Sequence, residues 1–149
     1  MKDVFICHAG EDKETIVNPL VATLEERGLN AWLDKAEINW GDSLVEKIND
    51  GLSNSRYLIV VLSEHFLAKR WPQKELTSVL NIEASTGEVK VLPLIVGEAN
   101  DIISRLPLLN DKNYLQWTGD PEAVADALQA RLRQGQNHGD ATKARERLI

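Results

Sequence analysis

Short apolar runs alternate with segments of helical periodicity along most of the chain. The apolar runs predict strands over residues 4–7, 30–34, 56–62, 89–96 and 114–117. Apolar positions spaced three or four apart predict helices over residues 14–27, 43–52, 72–85 and 121–133, with a loop or short helix at 63–70 and a short helix at 102–106. This alternation predicts an α/β fold, a doubly wound parallel sheet of about five strands with helices on both faces.

Individual residues refine this outline. The run at residues 56–62 (RYLIVVL) is apolar on both faces, which is typical of a buried strand in a parallel sheet. Pro93 indicates a strand at the sheet edge or a bulge, because proline has no N–H to donate to a neighbour. Gly28 provides a stop for the first helix, and residues 35–42 form a loop. Since the periodicity stops after Arg133, we predict a domain over residues 1–133 and a disordered polar tail over 134–149.

Charge and cysteine content narrow the function classes. The formal net charge of −6 argues against binding to nucleic acid or to an anionic membrane, because both need a basic surface. The longest strongly apolar run, residues 57–62, is too short to span a bilayer. Cys7 is the single cysteine, so no internal disulfide can form. Without a signal-like segment at the start of the sequence, a cytoplasmic location is expected.

In open parallel sheets, ligands bind at the carboxyl ends of the strands, which here are followed by residues 8–12, 34–43 and 63–75. The sequence lacks glycine-rich dinucleotide and Walker fingerprints, and its three histidines and one cysteine have no zinc spacing, so no metal is predicted. Cys7 and His8 are neighbours on a strand and point to opposite faces, so they cannot easily meet in a dyad. Cys7 is interpreted as a small buried residue.

Three sequence blocks in a fixed order resemble the TIR family. Residues 2–12 (KDVFICHAGED) resemble its first conserved block, with Cys7 where serine is usual. Residues 30–44 (NAWLDKAEINWGDSL) resemble the second strand and the BB loop of the family. Residues 56–76 (RYLIVVLSEHFLAKRWPQKEL) resemble the third strand followed by a W-x-x-x-E element. The resemblance covers nearly the whole predicted domain and implies the flavodoxin-like TIR fold.

TIR domains include scaffolds, which only bind other TIR domains, and enzymes, which cleave the nicotinamide–ribose bond of NAD+. The enzymes carry a glutamate at the start of the helix after the third strand, and Glu75 holds that position here. Asp34 and residues 41–44 (GDSL) bring the pattern closest to NAD-cleaving bacterial members. The resemblance therefore implies an NAD+ nucleosidase, with NAD+ as substrate and no cofactor. A non-catalytic scaffold is the alternative.

Glu75 suits the chemistry that the resemblance implies. Nicotinamide leaves as a neutral group, and the difficulty is the positive charge that develops on the ribose. A fixed carboxylate stabilises that charge and can hold the ribose hydroxyls. Pro72 predicts a first helical turn, which places Glu75 near a helix N-terminus, where the dipole favours an anion. A glutamate at such a position can also serve helix stability alone.

Substrate contacts are assigned to eight further residues: Trp71, His8, Ala9, Asp34, Trp40, Gly41, Ser43 and Lys74. Several of them have a structural alternative. Trp71 can stack on nicotinamide or adenine, or pack in the core. Ser43 can face the ligand or cap the next helix. His8 can be structural, and Lys74, like Lys35, can be a solvated lysine instead of a pyrophosphate contact.

The loop at residues 35–42 is the predicted surface for partners. Asp34 precedes it and can hold a ribose hydroxyl or anchor the loop. Ile38 and Trp40 lie on it beside Gly41, and an aromatic side chain there favours contact with a ligand or a partner. The TIR resemblance implies homotypic self-association through this BB loop, with activity promoted by association.

Two further alternatives concern the reaction. A phosphoacceptor receiver domain shares the architecture but needs an aspartate at the end of the third strand, where this chain has Leu62 and Ser63, with Glu64 the nearest acid. The product remains open between linear ADP-ribose and a cyclic isomer. That outcome depends on whether water or a group of the ligand itself intercepts the ribosyl cation.

Overall fold

A computed structural model describes residues 2–32, 37–38, 43–69, 91–106 and 114–133 of the 149-residue chain. The strands are β1 (Lys2–Ala9), β2 (Ala31–Trp32), β3 (Glu37–Ile38), β4 (Ser55–Leu62), β5 (Val91–Ile95) and β6 (Leu115–Gln116). The helices are α1 (Asn18–Glu26), α2 (Leu44–Asn54), α3 (Glu64–Leu67), α4 (Ala99–Arg105) and α5 (121–133). A 3₁₀ turn (Gly10–Asp12) and a π-helical turn (Lys13–Val17) connect β1 to α1.

The strand pairs in the described residues are all parallel. Their order is β2-β1-β4-β5-β6, and β3 pairs with β1 further along the strand than β2 does. β2 lies beside Val4 and Phe5, whereas β3 lies beside His8 and Ala9. If β2 and β3 are counted as one interrupted position along β1, the order is that of flavodoxin-like sheets. The predicted α/β class with a parallel sheet is confirmed.

Side chains at alternate strand positions pack into two separate cores, one on each face of the sheet. Cys7 of β1 belongs to the same core as Ile48 of α2. Its neighbour Ile6 belongs to the opposite core, with Leu20 of α1 and Leu128 of α5. Because side chains alternate along a strand, strands covered on both faces need apolar residues at successive positions. The prediction of helices on both faces is confirmed.

The carboxyl end of β1 differs from its prediction. The strand continues past Cys7 through His8 and Ala9, both of which are buried. The prediction of a loop over residues 35–42 is wrong at Glu37 and Ile38, which form β3 and pair with this extension of β1. The physical reason is that a longer β1 presents further backbone donors and acceptors, which must be paired when buried.

The edge position predicted from Pro93 is wrong, because β5 lies between β4 and β6. The described ladder between β5 and β6 begins at Leu94, one residue later, so the missing N–H of Pro93 costs this ladder no bond. Predicted helix 72–85 and predicted tail 134–149 lie outside the described residues. No helix in the described part of the chain is long and apolar enough to cross a membrane.

β6 ends the described sheet with a short edge. It pairs with β5 over Leu115 and Gln116 in the residues the structure describes. The Gln116 Nε2 donates to the carbonyl of Gly97 at 2.8 Å and to that of Ile95 at 3.2 Å. Trp117 N also donates to Ile95 O, at 2.8 Å. These bonds attach β6 and the residue after it to the carboxyl end of β5.

The end of α1 is fixed by backbone hydrogen bonds. Gly28 has φ of 76° and donates to Glu25 O at 3.0 Å, while Leu29 donates to Leu24 O at 2.9 Å. This pair of bonds is the Schellman arrangement, in which the first residue after the helix cap takes a left-handed conformation. Glycine suits it because it has no Cβ to clash. The predicted stop at Gly28 is confirmed.

A cluster of charged and polar side chains joins α1 to α5. The Arg27 guanidinium donates to Glu122, to Asp126 at 2.6 Å and to Gln129 at 3.1 Å. The hydrogen bonds that Arg27 donates to Glu122 and Asp126 raise the pKa of its guanidinium. This Arg27 cluster lies on the α1–α5 face of the sheet and ties the end of α1 to the last helix.

Candidate active site

The strand order fixes where a ligand site can form. The chain leaves β1 toward β2 on one side of the sheet, while β4 and β5 follow on the other side. The direction of winding therefore reverses between β1 and β4, and open α/β sheets bind ligands in the crevice at such a point, beyond the carboxyl ends of the strands. The residues at those two ends are His8–Asp12, which include the last two residues of β1, and Ser63–Lys69, which follow β4.

His8 is held in one orientation, and one of its ring nitrogens has no protein partner in the described residues. The side chain is buried, with 1% of its surface exposed. Its Nδ1 lies 2.8 Å from Ile6 O, and because a carbonyl oxygen can only accept, Nδ1 carries the proton of that bond. In the neutral ring, Nε2 is then an acceptor. Nε2 is buried without a hydrogen bond in the described structure.

Ala9 and the start of the BB loop are joined at the end of β1. Ala9 is fully buried and belongs to the core beside α2, so ligand contact there is left to its backbone. The ladder aligns His8 with Glu37 and Ala9 with Ile38. Part of the loop predicted to mediate association is thereby attached by backbone to the strand that carries His8.

A buried polar pair connects the two strand ends. The Ser63 hydroxyl donates to Asp12 Oδ2, and Ser63 Oγ accepts from Phe66 N at 3.1 Å. Asp12 and Ser63 are 3% and 2% exposed, so both groups are removed from solvent. Sequence patterns alone did not reveal this pair. Ser63 before the short α3 was a recognisable N-cap signal, but no local pattern links it to an aspartate 51 residues earlier.

Glu11 makes further polar contacts between the segment after β1 and the segment after β4. Lys69 Nζ lies 3.5 Å from Glu11 Oε1, and His65 Nδ1 lies 3.8 Å from Glu11 Oε2. The Lys69 side chain is only 4% exposed, whereas Glu11 is half-exposed. The cations predicted from the sequence were Lys35 and Lys74, and this buried lysine was missed.

Ser43 caps α2. Its Oγ accepts from Glu46 N at 3.3 Å, in the spacing of a capping box. The structural alternative for Ser43 is therefore present, and its contact with substrate stays a prediction. The other predicted site residues lie outside the described residues: Glu75, Trp71, Lys74, Asp34, Trp40 and Gly41. The structure brings together His8, Ala9, Asp12, Ser63 and Lys69 at adjoining strand ends.

Cys7 faces away from His8, into the core beside α2. Burial raises the pKa of its thiol from 9.0 to about 12, and nearby Lys47 partly opposes that shift. The prediction of a small buried cysteine is confirmed. In the described residues, no group of three or more His, Cys, Asp or Glu side chains is arranged to hold a metal ion.

Comparison with known proteins gives one consistent family. A model of the TIR domain matches residues 4–133. A protein named probable 2' cyclic ADP-D-ribose synthase TcpB, from Brucella melitensis biotype 1, is 44% identical over 111 residues, which are 74% of this chain and 44% of that protein. A protein named NAD(+) hydrolase TcpA, from a Theionarchaea archaeon, is 48% identical over 92 residues, which are 62% of this chain and 28% of that protein.

A solved structure agrees with this family. The TIR domain of the Toll-related receptor TRR-2 from Hydra magnipapillata superposes with a TM-score of 0.52 and 26% identity. The match covers 91% of this chain and 98% of that domain. The chain spans less than half the length of the two curated relatives.

Proposed function

The chain belongs to the TIR domain family, and we propose that it cleaves the nicotinamide–ribose bond of NAD+, releasing nicotinamide. Support comes from the two relatives at 44% and 48% identity, whose names refer to NAD+ hydrolysis and to synthesis of a cyclic ADP-ribose. The site described above adds a topological switch point between β1 and β4 and a buried histidine whose Nε2 has no partner among the described residues. NAD+ is the substrate in this proposal, so no separate cofactor is required.

The observation that carries the proposal is the buried Nε2 of His8. Buried polar side-chain atoms are nearly always hydrogen-bonded, so an unpaired one at a ligand-binding edge calls for a donor from outside the described chain. The hydroxyls of a ribose are donors of that kind. We propose that Nε2 accepts from a ribose hydroxyl of NAD+ and thereby orients the sugar.

The positive charge that develops on the ribose is stabilised by a nearby carboxylate, and we assign that role to Glu75. The ribose becomes cationic as nicotinamide departs, and a fixed carboxylate lowers the energy of that state. Trp71 stacks on a ring of the ligand, and Lys74 contacts the pyrophosphate. Asp34, Trp40, Gly41 and Ser43 line the ligand from the side of the BB loop.

Replacing His8 by asparagine tests the proposed hydrogen bond. The asparagine amide can still donate to Ile6 O from the position of Nδ1, but it has no atom at the position of Nε2. We expect KM for NAD+ to rise about 10-fold, which corresponds to the loss of one ordinary hydrogen bond. Steady-state nicotinamide release measures it. An unchanged KM in a folded variant would remove His8 from the site.

The proposal includes self-association through the BB loop, residues 35–42. β3 attaches that loop to β1 beside His8 and Ala9, so a contact made on the loop has a direct backbone connection to the proposed site. We propose that association promotes cleavage and that the protein acts in the cytoplasm as a TIR signalling enzyme.

The proposed activity is tested by incubating the protein with NAD+ over a wide range of protein concentrations and following nicotinamide by chromatography. We expect release whose specific activity rises with protein concentration. The second product peak distinguishes linear ADP-ribose from a cyclic isomer, and relatives of both kinds are similar to this chain. No release at any concentration, even with a fused oligomeric partner, would favour a non-catalytic scaffold. A specific activity independent of concentration would contradict the role of association.

A further inference from the structure

We infer that Asp12 and Ser63 form a positioning pair that holds the end of β1 and the end of β4 in register across the substrate crevice. Glu11 and Lys69 reinforce the same connection. The inference rests on the proposed function, because it assigns these residues a role in the alignment of groups that contact NAD+. Neither Asp12 nor Ser63 is assigned a contact with the substrate itself.

The hydrogen bonding of Ser63 leaves little freedom. Its one hydroxyl proton is donated to Asp12 Oδ2, and its oxygen accepts from Phe66 N at 3.1 Å. The hydroxyl therefore links three elements in series: the 3₁₀ turn after β1, the end of β4 and the first turn of α3. A rotation of Ser63 would break one of these bonds inside a site that is almost free of solvent.

Fold stability alone is a weak explanation for a carboxylate in this place. A buried charged group loses its hydration, and apolar side chains of the same size often stabilise a core equally well. Asp12 lies in the 3₁₀ turn that directly follows β1, at the reversal point of the sheet. Hydrogen bonds between polar groups in such a place are directional, so they can fix the relative orientation of two segments, which apolar packing does not do.

The second contact spans the same two segments independently. Glu11 precedes Asp12, and Lys69 lies six residues after Ser63, at the far end of α3. The Asp12–Ser63 and Glu11–Lys69 contacts lie at different points, so together they fix both the distance and the rotation of α3 relative to the turn after β1. On one side the tied segments follow His8 and Ala9, and on the other the chain continues directly from Lys69 toward Trp71 and Glu75 in the sequence.

Substitutions at Asp12 separate alignment from charge. Asparagine keeps an oxygen that accepts the Ser63 proton but carries no charge, whereas alanine keeps neither. We expect Asp12→Ala to lower kcat by about 10-fold or more, because small misplacements are sufficient to slow an aligned reaction. We expect Asp12→Asn to retain a kcat close to wild type. If asparagine lowers kcat as much as alanine, the carboxylate charge matters and the positioning role is wrong.

Ser63→Ala should reproduce the effect of Asp12→Ala. In a double variant the two losses should not add, because either substitution alone breaks the connection. Arg27→Gln is the matched control, since it weakens the Arg27 cluster between α1 and α5, away from the site. Urea unfolding compares the stabilities. If kcat follows stability in all variants, including Arg27→Gln, the pair is only structural and the inference fails.

Amide hydrogen exchange tests the connection between the two segments independently of catalysis. In Asp12→Ala we expect faster exchange both at residues 10–13 and at Phe66, and no such change in Arg27→Gln. Protection that is lost on only one side would contradict a connection between the two strand ends. If wild-type protein releases no nicotinamide, the proposed function fails, whereas the exchange result still decides whether Asp12 and Ser63 hold the two segments together.

Discussion

Glu75→Gln is expected to lower kcat for nicotinamide release by about 10²-fold or more, with little change in the fold. Glutamine keeps the size of the side chain and its hydrogen-bonding oxygen but removes the negative charge. The main barrier to this reaction is the positive charge that develops on the ribose, so loss of the carboxylate charge acts on the transition state more than on binding of NAD+. The measurement is steady-state nicotinamide release, with kcat and KM determined separately.

The matched control for this experiment is Glu26→Gln. Glu26 is an exposed glutamate at the end of α1, so it carries the same chemical change away from the carboxyl edge of the sheet. We expect its kinetic constants to equal those of wild type. Glu75→Gln with kcat within a fewfold of wild type would show that another group stabilises the ribosyl cation, and would remove the main residue carried over from the family.

The thiol of Cys7 in the native protein is expected to react with an alkylating reagent at least about 10³-fold more slowly than in the unfolded chain. The thiolate is the reactive form, and burial raises the pKa from 9.0 to about 12, which lowers its fraction at neutral pH by that factor. Limited access to a fully buried sulfur slows the reaction further. Mass spectrometry of alkylated protein with and without denaturant measures both rates.

The same shift predicts a loss of stability in alkaline solution. Below pH 9 the thiol is protonated in both states, so its contribution is fully present. Between pH 9 and about 12 the unfolded chain releases the proton and the folded protein keeps it. The free energy of unfolding then falls by about 1.4 kcal/mol per pH unit.

Cys7→Ala provides the reference for that pH dependence, because it lacks the titrating group. We expect the difference in unfolding free energy between wild type and Cys7→Ala to be constant up to pH 8.5. By pH 10.5 the unfolding free energy of wild type should have fallen by about 1–2 kcal/mol relative to that of Cys7→Ala. Parallel curves throughout would mean that Cys7 ionises at an ordinary pKa, and rapid native alkylation would agree with that result.

The sheet and its two layers of helices were accessible from the sequence because they depend on local periodicity. The apolar run before Ser63 is buried only if helices pack on both faces of the sheet. Gly28 marks the end of a helix because glycine readily adopts the positive φ found there. The length of β1 was underestimated because its last two residues begin with His8, a polar residue that is typical of a loop although here it is buried. Glu37 and Ile38 become strand only once that extension is present to pair with them.

Candidate site residues could be named from the sequence only where a family motif or a strand end marked them, and their contacts with substrate stay predictions. His8 and Ser43 fall in that class. The pairing of Asp12 with Ser63 and the burial of Lys69 depend on which strands become neighbours, which is a property of the assembled sheet. Single residues with common side chains carry no local signal of such partners.

The short edge at β6 bears on how the proposed self-association can avoid aggregation. Exposed strand edges recruit further strands without limit, and very short, covered edges suppress that process. In the described residues β6 pairs over Leu115 and Gln116, so such a short strand offers a second molecule few backbone groups to extend the ladder. The proposed association through the BB loop would then depend on loop and side-chain contacts instead of a continued ladder. Such an arrangement favours assemblies that form and dissolve with protein concentration over irreversible cross-β growth.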